Sequence, residues 1–369
     1  MRKAIVVAVI LLLAGCGGTP TPFAPAAPFP NSVDLTVAPT TGGQAAASPL
    51  ATPAGGTAVP SPLATPTKPL TKITLAMGYI PSVQFAPFYV AQEKGYFTDA
   101  GLDVEFRYGT ETDLLKLVGT NELQYMIGSG EEVILGRSQG LPVRYIYRWY
   151  RKFPAVLFAK ASSGIKEPKD LAGKKVGVPG LYGANYVGWE ALVYATGLDP
   201  KQVTLQSIGF TQATAVSEGL VDAAMDYVVN GPVQLRLEGQ DVIEIPVSNY
   251  VDLPSNGIIT NDQTIKDKPE QVQALVTAMT RGLRDTLANP DAAFQASLAA
   301  VPTAGGDQEK VSRAIFDESL KLWQVSDAEL GVSDPAAWAK AATFMKDMGL
   351  IQTAVVPTDL YTNQFVTPK

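Results

Sequence analysis

The stretch ITLAMGYIPSVQFAPFYVAQEKGYFTDAGLDVEFRY, residues 73–108, contains the clearest signal of the fold. Residues 73–79 form a short apolar run with β-branched side chains, which predicts a strand. Residues 85–94 have the length and apolar spacing of a helix that ends before Gly95, and residues 102–108 predict a second strand. A strand, a helix and a strand in this order predict a parallel sheet covered by helices.

The same alternation continues to the end of the chain. Further strands are predicted at 123–127, 143–150, 174–178, 203–208, 223–228 and 258–260, and further helices at 111–119, 131–139, 184–196, 211–218, 269–287 and within 291–348. The rhythm restarts after Lys160, and some 300 residues are large for a single core. We therefore predict two α/β lobes, with residues 71–160 and 251–369 in lobe 1 and residues 161–250 in lobe 2. The two crossings between them are predicted at 155–159 and 257–260.

The first residues have the layout of an export signal. Arg2 and Lys3 precede an apolar run over residues 4–13, which is roughly half of the ~20 residues that a membrane span needs. We therefore predict a signal peptide over residues 1–15. The residues around Cys16 resemble the bacterial lipobox, and this resemblance implies cleavage before Cys16 and a diacylglycerol on its thiol. The alternative is a simple signal peptide with an incidental cysteine.

Residues 16–70 are predicted to carry the lipid and to form a tether. They consist mainly of Pro, Ala, Thr, Gly and Ser, and the hexamer SPLATP occurs at 48–53 and again at 61–66. Such a segment cannot bury enough apolar surface to offset the entropy of ordering it. We expect a disordered spacer with a reach on the order of 40 Å. It places the body of the protein at the outer face of the cytoplasmic membrane.

Composition excludes several classes of function. The chain has 29 basic and 35 acidic residues, and an acidic protein is a poor candidate for binding nucleic acid. It has no histidine and one cysteine, Cys16, which excludes His-based catalytic triads and zinc sites built from His or Cys. We therefore predict a binding protein rather than an enzyme, with no catalytic residue, no metal site and no cofactor.

Three segments carry a resemblance to one family. Residues 79–91, YIPSVQFAPFYVA, are followed by KGYF at 94–97 and GLDV at 101–104, and together they resemble the opening of type II periplasmic solute-binding proteins related to thiamine-pyrimidine-precursor binders. Residues 165–178, IKEPKDLAGKKVGV, resemble that family's entry into its second domain. Residues 219–224, GLVDAA, resemble a later strand signature. Within the family, the chain resembles the riboflavin-binding lipoproteins of riboflavin ABC transporters.

The resemblance implies a two-lobed type II periplasmic-binding-protein fold, with mixed or parallel sheets flanked by helices and a two-stranded hinge. It also implies a ligand cleft that closes on binding, and delivery of riboflavin to an ABC permease and its ATPase. Riboflavin would be the transported ligand and not a cofactor. We expect a monomer that is attached to the membrane through its lipid.

The loops after the predicted strands are candidates for the cleft, because ligands in α/β sheets lie beyond the carboxyl ends of strands. Aromatic rings in these loops can stack on a flat ligand, although any one of them can equally pack in the core. These aromatic candidates are Tyr79, Phe85, Trp149, Tyr150, Tyr182, Tyr186 and Tyr227. Trp189, inside a predicted helix, is expected in the core. Two Gly-rich turns add the polar candidates Ser129, Glu131, Gly183 and Asn185.

Asn230 distinguishes two ligands. An amide donates and accepts, so it can pair with the carbonyl–NH–carbonyl edge of an isoalloxazine, whereas a carboxylate suits the amino group of an aminopyrimidine. Gln84 can serve the same purpose from lobe 1. The alternative interpretation is that Asn230, followed by Gly231, only forms a turn.

Four functions stay open at this point. The first is a riboflavin-binding transport protein, and the second has the same fold with a thiamine pyrimidine precursor as its ligand. The third is an enzyme of pyrimidine synthesis, although the relatives of that type use histidine and a cysteine-rich motif that this chain lacks. The fourth is a surface sensor that reports occupancy to a partner.

Overall fold

Residues 69–366 are described by the computed structural model, and they form two five-stranded sheets. The predicted signal peptide, Cys16 and most of the predicted tether lie outside the described residues. The strands are β1 (Thr71–Met77), β2 (Leu102–Tyr108), β3 (Tyr125–Gly128), β4 (Val143–Arg148), β5 (Ala155–Lys160), β6 (Lys175–Val178), β7 (Thr204–Ser207), β8 (Ala223–Tyr227), β9 (Val242–Pro246) and β10 (Gly257–Asn261).

Helices cover both sheets and form most of the region after β10. They are α1 (Ala86–Glu93), α2 (Tyr96–Asp99), α3 (Glu111–Gly119), α4 (Gly130–Ser138), α5 (Gly183–Thr196), α6 (Gln212–Ser217), α7 (Gly231–Leu237), α8 (Asp262–Asp267), α9 (Pro269–Ala288), α10 (Pro290–Ala300), α11 (Glu309–Trp323), α12 (Pro335–Asp347) and α13 (Pro357–Leu360). Short 3-10 helices lie at Val83–Phe85, Ala161–Ser163, Pro168–Leu171, Pro200–Gln202, Val247–Asn249, Pro302–Ala304, Gly306–Gln308 and Asp327–Glu329.

The two sheets have the same plan. The first has the strand order β2-β1-β3-β10-β4 and the second β7-β6-β8-β5-β9. In each sheet the fourth strand in this order is antiparallel to both of its neighbours: β10 pairs so with β3 and β4, and β5 with β8 and β9. The remaining pairs are parallel. The prediction of mixed sheets flanked by helices is therefore confirmed.

The chain passes between the sheets through two connections. Residues 149–154 lead from β4 to β5, and residues 247–256 lead from β9 to β10. The predicted crossings at 155–159 and 257–260 lie instead inside β5 and β10, which belong to different sheets and do not pair with each other. β5 thus joins the second sheet, although the predicted boundary at residue 160 assigns it to lobe 1. The division into lobes itself stays a prediction.

Several elements differ from the sequence-based expectation. β9 was not predicted, because its five residues, VIEIP, include a glutamate and end in a proline, as an edge strand tolerates. α7 was not predicted either, because Gly231 and Pro232 read as a turn, whereas Pro232 lies in the first turn of the helix, where its missing N–H costs nothing. The segment predicted as helical over 291–348 is divided into α10, α11 and α12.

One apolar core connects the two sheets. A continuous cluster of buried side chains includes Met126 and Tyr145 from the first sheet and Val176 and Met225 from the second. A second cluster lies on the other face of the first sheet, where α1 and α9 cover β1. The loops at the ends of both sheets are therefore supported by one continuous apolar core.

One further observation concerns the helices between residues 69 and 366. None of them is long and apolar enough to cross a membrane.

Candidate ligand-binding cleft

Loops from both sheets meet at one place, which we call the cleft. The parallel strands of each sheet end there, and the antiparallel strands β5 and β10 begin there, since Ala155 lies opposite Tyr227 and Gly257 lies opposite Gly128. This edge is where α/β sheets bind ligands. We call the part of the structure around each sheet a half. The loops therefore bring polar groups of the two halves within hydrogen-bond distance.

An amide pair joins the two halves of the cleft. The Gln84 Nε2 atom donates to Asn230 Oδ1 at 2.8 Å, and the Tyr150 hydroxyl lies 3.4 Å from Gln84 Oε1 as its donor. Gln84 lies in a 3-10 helix that the Ser82 hydroxyl caps by accepting from the Gln84 backbone N–H. Gln84 is 5% exposed, so its amide is buried and makes its side-chain hydrogen bonds to Asn230 and Tyr150.

Asn230 does more than form a turn. It is the residue before α7, but its side chain makes no capping hydrogen bond to that helix. It reaches Gln84 instead, and its Nδ2 atom lies 3.5 Å from Asp226 Oδ1. The following glycine is needed for a separate reason, because a Cβ at Gly231 would lie 2.6 Å from the Phe158 ring and 2.8 Å from Asp226 Oδ2.

Asp226 is a buried carboxyl next to this amide pair. Its Oδ1 atom accepts from the Tyr227 backbone N–H at 2.7 Å, and its Oδ2 atom accepts from the Gly231 N–H at 3.0 Å. Burial raises its pKa to about 6, although these hydrogen bonds oppose the rise. Asp226 therefore supports the loop between β8 and α7.

A second chain of hydrogen bonds crosses the cleft nearby. The Tyr227 hydroxyl donates to Asn256 Oδ1 at 3.2 Å, and Asn256 Nδ2 donates to Glu111 Oε1 at 3.4 Å. Glu111 Oε2 accepts from the Ser129 backbone N–H at 3.0 Å and from its hydroxyl. Burial, followed by the charge of Glu132, raises the pKa of Glu111 to about 7.

Glu131 lies beside this chain without joining it. It is 1% exposed, and neither of its carboxyl oxygens has a hydrogen-bond partner among the described residues. Burial, followed by the charge of Glu111, raises its pKa well above the ordinary value, although the nearby Ser129 hydroxyl and its own backbone N–H oppose the rise. The Ser129 hydroxyl has one proton, and it donates that proton to Glu111. Glu131 and Glu111 also raise the pKa of the Tyr227 hydroxyl, after the larger effect of burial, so both carboxyls face the cleft.

Three of the aromatic candidates pack in the core of the first half. Phe85 stacks on Trp149 with ring centroids 5.5 Å apart, and Trp149 stacks on Trp323 at 6.0 Å. Tyr150 contacts Trp149 edge-on at 4.5 Å. Phe85, Trp149 and Tyr150 are each less than 5% exposed, so they form the wall behind the amide pair. Their contact with a ligand stays a prediction.

Two other aromatic residues meet across the cleft mouth. Tyr79, after β1, contacts the ring of Phe210, after β7, with centroids 5.9 Å apart. Phe210 is 61% exposed. Burial, followed by the charge of Asp226, raises the pKa of Tyr79 to about 12, which places Tyr79 close to the amide pair as well.

The Gly-rich turn before α5 makes no hydrogen bond or ring contact with the cleft residues named above, among the residues that the structure describes. Tyr182 is 64% exposed, and Gly183 begins α5 with a φ of 72°. Tyr186 interacts with Glu190 of its own helix, and the Oδ1 atom of Asn185 is buried without a hydrogen-bond partner between residues 69 and 366. A ligand role for these four residues stays a prediction. Trp189, in contrast, is 2% exposed, which confirms its expected place in the core.

Sequence reasoning missed Glu111, Asp226, Asn256 and Phe210. In lobe 1, the loops predicted to line the cleft follow the first, third and fourth strands, whereas Glu111 follows the second strand. Asn256 precedes a strand, but that strand is antiparallel, so its beginning lies at the same edge as the parallel strands' ends. Asn256 could be predicted at this edge only if β10 were known to be antiparallel. Among the residues described here, no group of three or more Asp, Glu, His or Cys is arranged to hold a metal ion.

Comparison with known sequences identifies related proteins. The family described as NMT1/THI5 like matches residues 82–293. The chain is 40% identical over 364 residues to riboflavin-binding protein RibY of Chloroflexus aurantiacus, and this alignment covers 97% of this chain and 95% of that protein. It is 26% identical over 303 residues to the formylaminopyrimidine-binding protein of Halalkalibacterium halodurans, with 80% and 90% covered.

Other similarities are more distant. A protein of Aspergillus parasiticus named 4-amino-5-hydroxymethyl-2-methylpyrimidine phosphate synthase is 26% identical over 310 residues, covering 80% of this chain and 87% of that protein. Among solved structures, the periplasmic aliphatic sulphonate-binding protein SsuA of Escherichia coli has a TM-score of 0.66 at 10% identity, covering 81% of this chain and 94% of that one. This likeness concerns the fold, and it confirms the predicted periplasmic-binding-protein fold.

Proposed function

The chain belongs to the NMT1/THI5-like family, and on this premise we propose that it binds riboflavin in the cleft and delivers it to an ABC permease. The resemblance predicted from residues 79–91, 165–178 and 219–224 is confirmed by the family match and by the similarity to RibY. A sequence identity of 40% over nearly the whole of both chains supports a flavin as the ligand of this chain too.

The Gln84–Asn230 pair is the observation that carries the proposal. Each amide offers one acceptor and two donors, and the two side chains come from opposite halves at 2.8 Å. The pyrimidinedione edge of a flavin alternates carbonyl, N–H and carbonyl, so it can replace this bond with hydrogen bonds to both amides. The bound ligand would then connect the two halves through the same residues.

A thiamine pyrimidine precursor is the second candidate. It is favoured by the similarity to the formylaminopyrimidine-binding protein and by the carboxyl of Asp226 beside Asn230. However, both Asp226 oxygens already accept backbone N–H groups, so this carboxyl has little capacity left for a ligand amino group. The observations therefore favour a flavin.

We also propose that the protein acts outside the cytoplasm as a lipid-anchored transport component and not as an enzyme. The sequence before Cys16 supports export and lipid attachment, and the absence of histidine supports binding without chemistry. The relative named as a synthase is the argument for an enzyme. An assay for pyrimidine synthesis with the purified protein tests that alternative, and we expect no product.

Fluorescence titration tests the riboflavin proposal. Free riboflavin is fluorescent, and stacking against tyrosine and tryptophan quenches it. We expect saturable quenching with one riboflavin per chain, which excess formylaminopyrimidine or hydroxymethylaminopyrimidine does not reverse. Displacement of riboflavin by either pyrimidine at lower concentration would favour the second candidate instead.

A further inference from the structure

A group of polar side chains lies next to the amide pair and has no part in it. We call Glu111, Ser129, Glu131 and Asn256 the carboxyl cluster. These residues come from three places on the first half: the start of α3, the start of α4 and the residue before β10. Ser129, Glu131 and Asn256 are each at most 6% exposed, and Glu111 is partly exposed. The cluster is therefore a second polar region of the cleft, beside the amide pair.

Glu131 shows that the cluster is not a closed internal network. Its neighbour Glu111 is fully engaged, with Ser129 and Asn256 as donors, but the Glu131 oxygens have no hydrogen-bond partner within the part of the chain that the structure describes. A buried polar group without a partner costs free energy, which a folded protein retains when the group serves a ligand. Glu131 also lies close enough to Tyr227, on the other half of the cleft, for its charge to contribute to the raised pKa of that hydroxyl, after burial and the charge of Glu111.

We propose that the carboxyl cluster is a subsite for a chain of hydroxyl groups on the ligand. This inference rests on the proposed function, because riboflavin joins its ring to a ribityl chain that carries several hydroxyls. The Gln84–Asn230 pair would hold the ring edge, and Glu131, Glu111 and Asn256 would bind the chain. A carboxylate accepts hydrogen bonds from hydroxyls, and a carboxyl that keeps its proton can also donate one.

The position of the cluster fits this division of roles. Tyr227 connects the two regions: its hydroxyl donates to Asn256 in the cluster, and its backbone N–H donates to Asp226, which lies beside Asn230. A ligand that spans both regions needs a flat, amide-like end and a polar, flexible end. A pyrimidine precursor provides the first and lacks the length and the hydroxyls for the second.

The chemistry of the cluster favours hydroxyls over a cation. Burial is the main cause that raises the pKa of Glu111 to about 7, so Glu111 is partly protonated near neutral pH, and it also raises the pKa of Glu131 well above its ordinary value. A protonated carboxyl both donates and accepts, as a hydroxyl does. The described residues also provide no metal-holding group of acidic side chains at this place.

Comparing riboflavin with lumiflavin tests the subsite, because lumiflavin has the same ring system and a methyl group in place of the ribityl chain. We expect the wild-type protein to bind riboflavin ~10–100-fold more tightly than lumiflavin, which is the range that one or two hydrogen bonds to charged groups provide. Glu131→Leu keeps the volume of the side chain and removes its polar atoms. It should weaken riboflavin binding by a similar factor and leave lumiflavin binding unchanged.

Glu244→Leu is the control. Glu244 lies in β9, its side chain is 20% exposed, and its Oε1 atom accepts from Arg236 Nη2 at 2.5 Å, so it is a partly buried carboxyl that has no contact with the carboxyl cluster. We expect this variant to keep the wild-type ratio of the two affinities. Retained lumiflavin binding also reports that each variant is folded.

Three outcomes separate the possibilities. A loss of the riboflavin preference in Glu131→Leu, but not in Glu244→Leu, supports the subsite. Equal binding of riboflavin and lumiflavin by the wild type, or an unchanged ratio in Glu131→Leu, overturns the subsite and leaves the proposed function intact. Failure of the wild-type protein to bind either flavin overturns the proposed function itself.

Discussion

At the scale of single residues, the account depends on the amide of Asn230. Replacing it in Asn230→Asp keeps an acceptor for Gln84 but removes the donor and places a second carboxyl next to Asp226. We expect riboflavin affinity to fall ~10-fold or more, because a lost hydrogen bond is combined with a nearby like charge. Fluorescence titration measures this change.

The control for this variant is Asn249→Asp, at an exposed position in a short 3-10 helix. It introduces the same chemical change away from the cleft and should leave riboflavin affinity unaltered. An Asn230→Asp protein that binds riboflavin as tightly as the wild type would remove the amide pair from the ligand site.

Glu111 predicts a pH dependence of stability. Its pKa is raised to about 7 in the folded protein, so the folded state holds its proton more tightly than the unfolded state does. The stabilisation is fully present below pH ~4.5 and is lost as the pH rises through about 7. Glu111→Gln does not titrate, so its free energy of unfolding relative to the wild type should increase by about 1–3 kcal/mol between pH 4.5 and 8.

Denaturant unfolding at a series of pH values measures this difference. Glu270→Gln, at an exposed position in the first turn of α9, serves as the control and should track the wild type within ~0.5 kcal/mol. A constant difference between Glu111→Gln and the wild type over this pH range would show that Glu111 is not desolvated.

Residue-level prediction from sequence succeeded where the local chemistry is explicit. Gln84 and Asn230 were identified by the donor and acceptor pattern of an amide, and the structure brings the two together at 2.8 Å. Glu111 and Asn256 could not be identified in the same way, because their meeting depends on pairing between strands that are far apart in sequence.

At the scale of elements, α9 packs closely on α1, the helix that follows Gln84. A Cβ at Gly282 in α9 would lie 2.2 Å from the Pro87 carbonyl oxygen and 2.8 Å from the Ala91 Cβ, both in α1. We expect Gly282→Ala to lower the free energy of unfolding by about 1–2 kcal/mol. Alanine gains up to ~1 kcal/mol of helix propensity, but the overpacking outweighs it.

Gly305→Ala is a suitable comparison for thermal or denaturant unfolding. Its backbone φ is −92°, and an added Cβ would meet the Pro302 carbonyl oxygen only at an ordinary 3.5 Å. This variant should change stability by no more than ~0.5 kcal/mol. If Gly282→Ala is as stable as the wild type, α1 and α9 are not held at this distance in solution.

Element-level prediction was accurate for elements with a strong period and weak for short edge elements. The bounds of β2 and α3 agree with the prediction, since their apolar positions alternate as a half-buried strand and a surface helix require. β9 was missed because its five residues include a glutamate and end in a proline, and α7 because it begins with Gly231 and Pro232. Their structure depends on tertiary contacts, since β9 pairs with β5 and α7 packs on β8 and β9.

At the scale of the whole molecule, Cys16 is predicted to hold the protein at the membrane. In the native bacterial host, Cys16→Ser removes the thiol that would carry the lipid, so we expect the protein to leave the membrane fraction. Immunoblots of membrane and soluble fractions measure this, and riboflavin binding by the released protein should stay unchanged. Retention of Cys16→Ser in the membrane fraction would contradict a lipid anchor at this residue.

The overall plan was predictable from sequence, but the closed arrangement was not. Alternating strands and helices indicate two α/β halves, and the family resemblance implies a cleft between them. The contacts that close it, Gln84 with Asn230 and Tyr79 with Phe210, depend on how the connections at 149–154 and 247–256 position the halves. No local sequence pattern encodes that geometry.

Equilibrium dialysis with radiolabelled riboflavin tests whether the cleft binds a flavin. It counts bound ligand without relying on quenching, and it can be repeated with a large excess of formylaminopyrimidine. We predict saturation at one riboflavin per chain, with no change when the pyrimidine is added. No retained riboflavin at protein concentrations of tens of micromolar, or its loss on addition of the pyrimidine, would contradict the assignment of this cleft to a flavin.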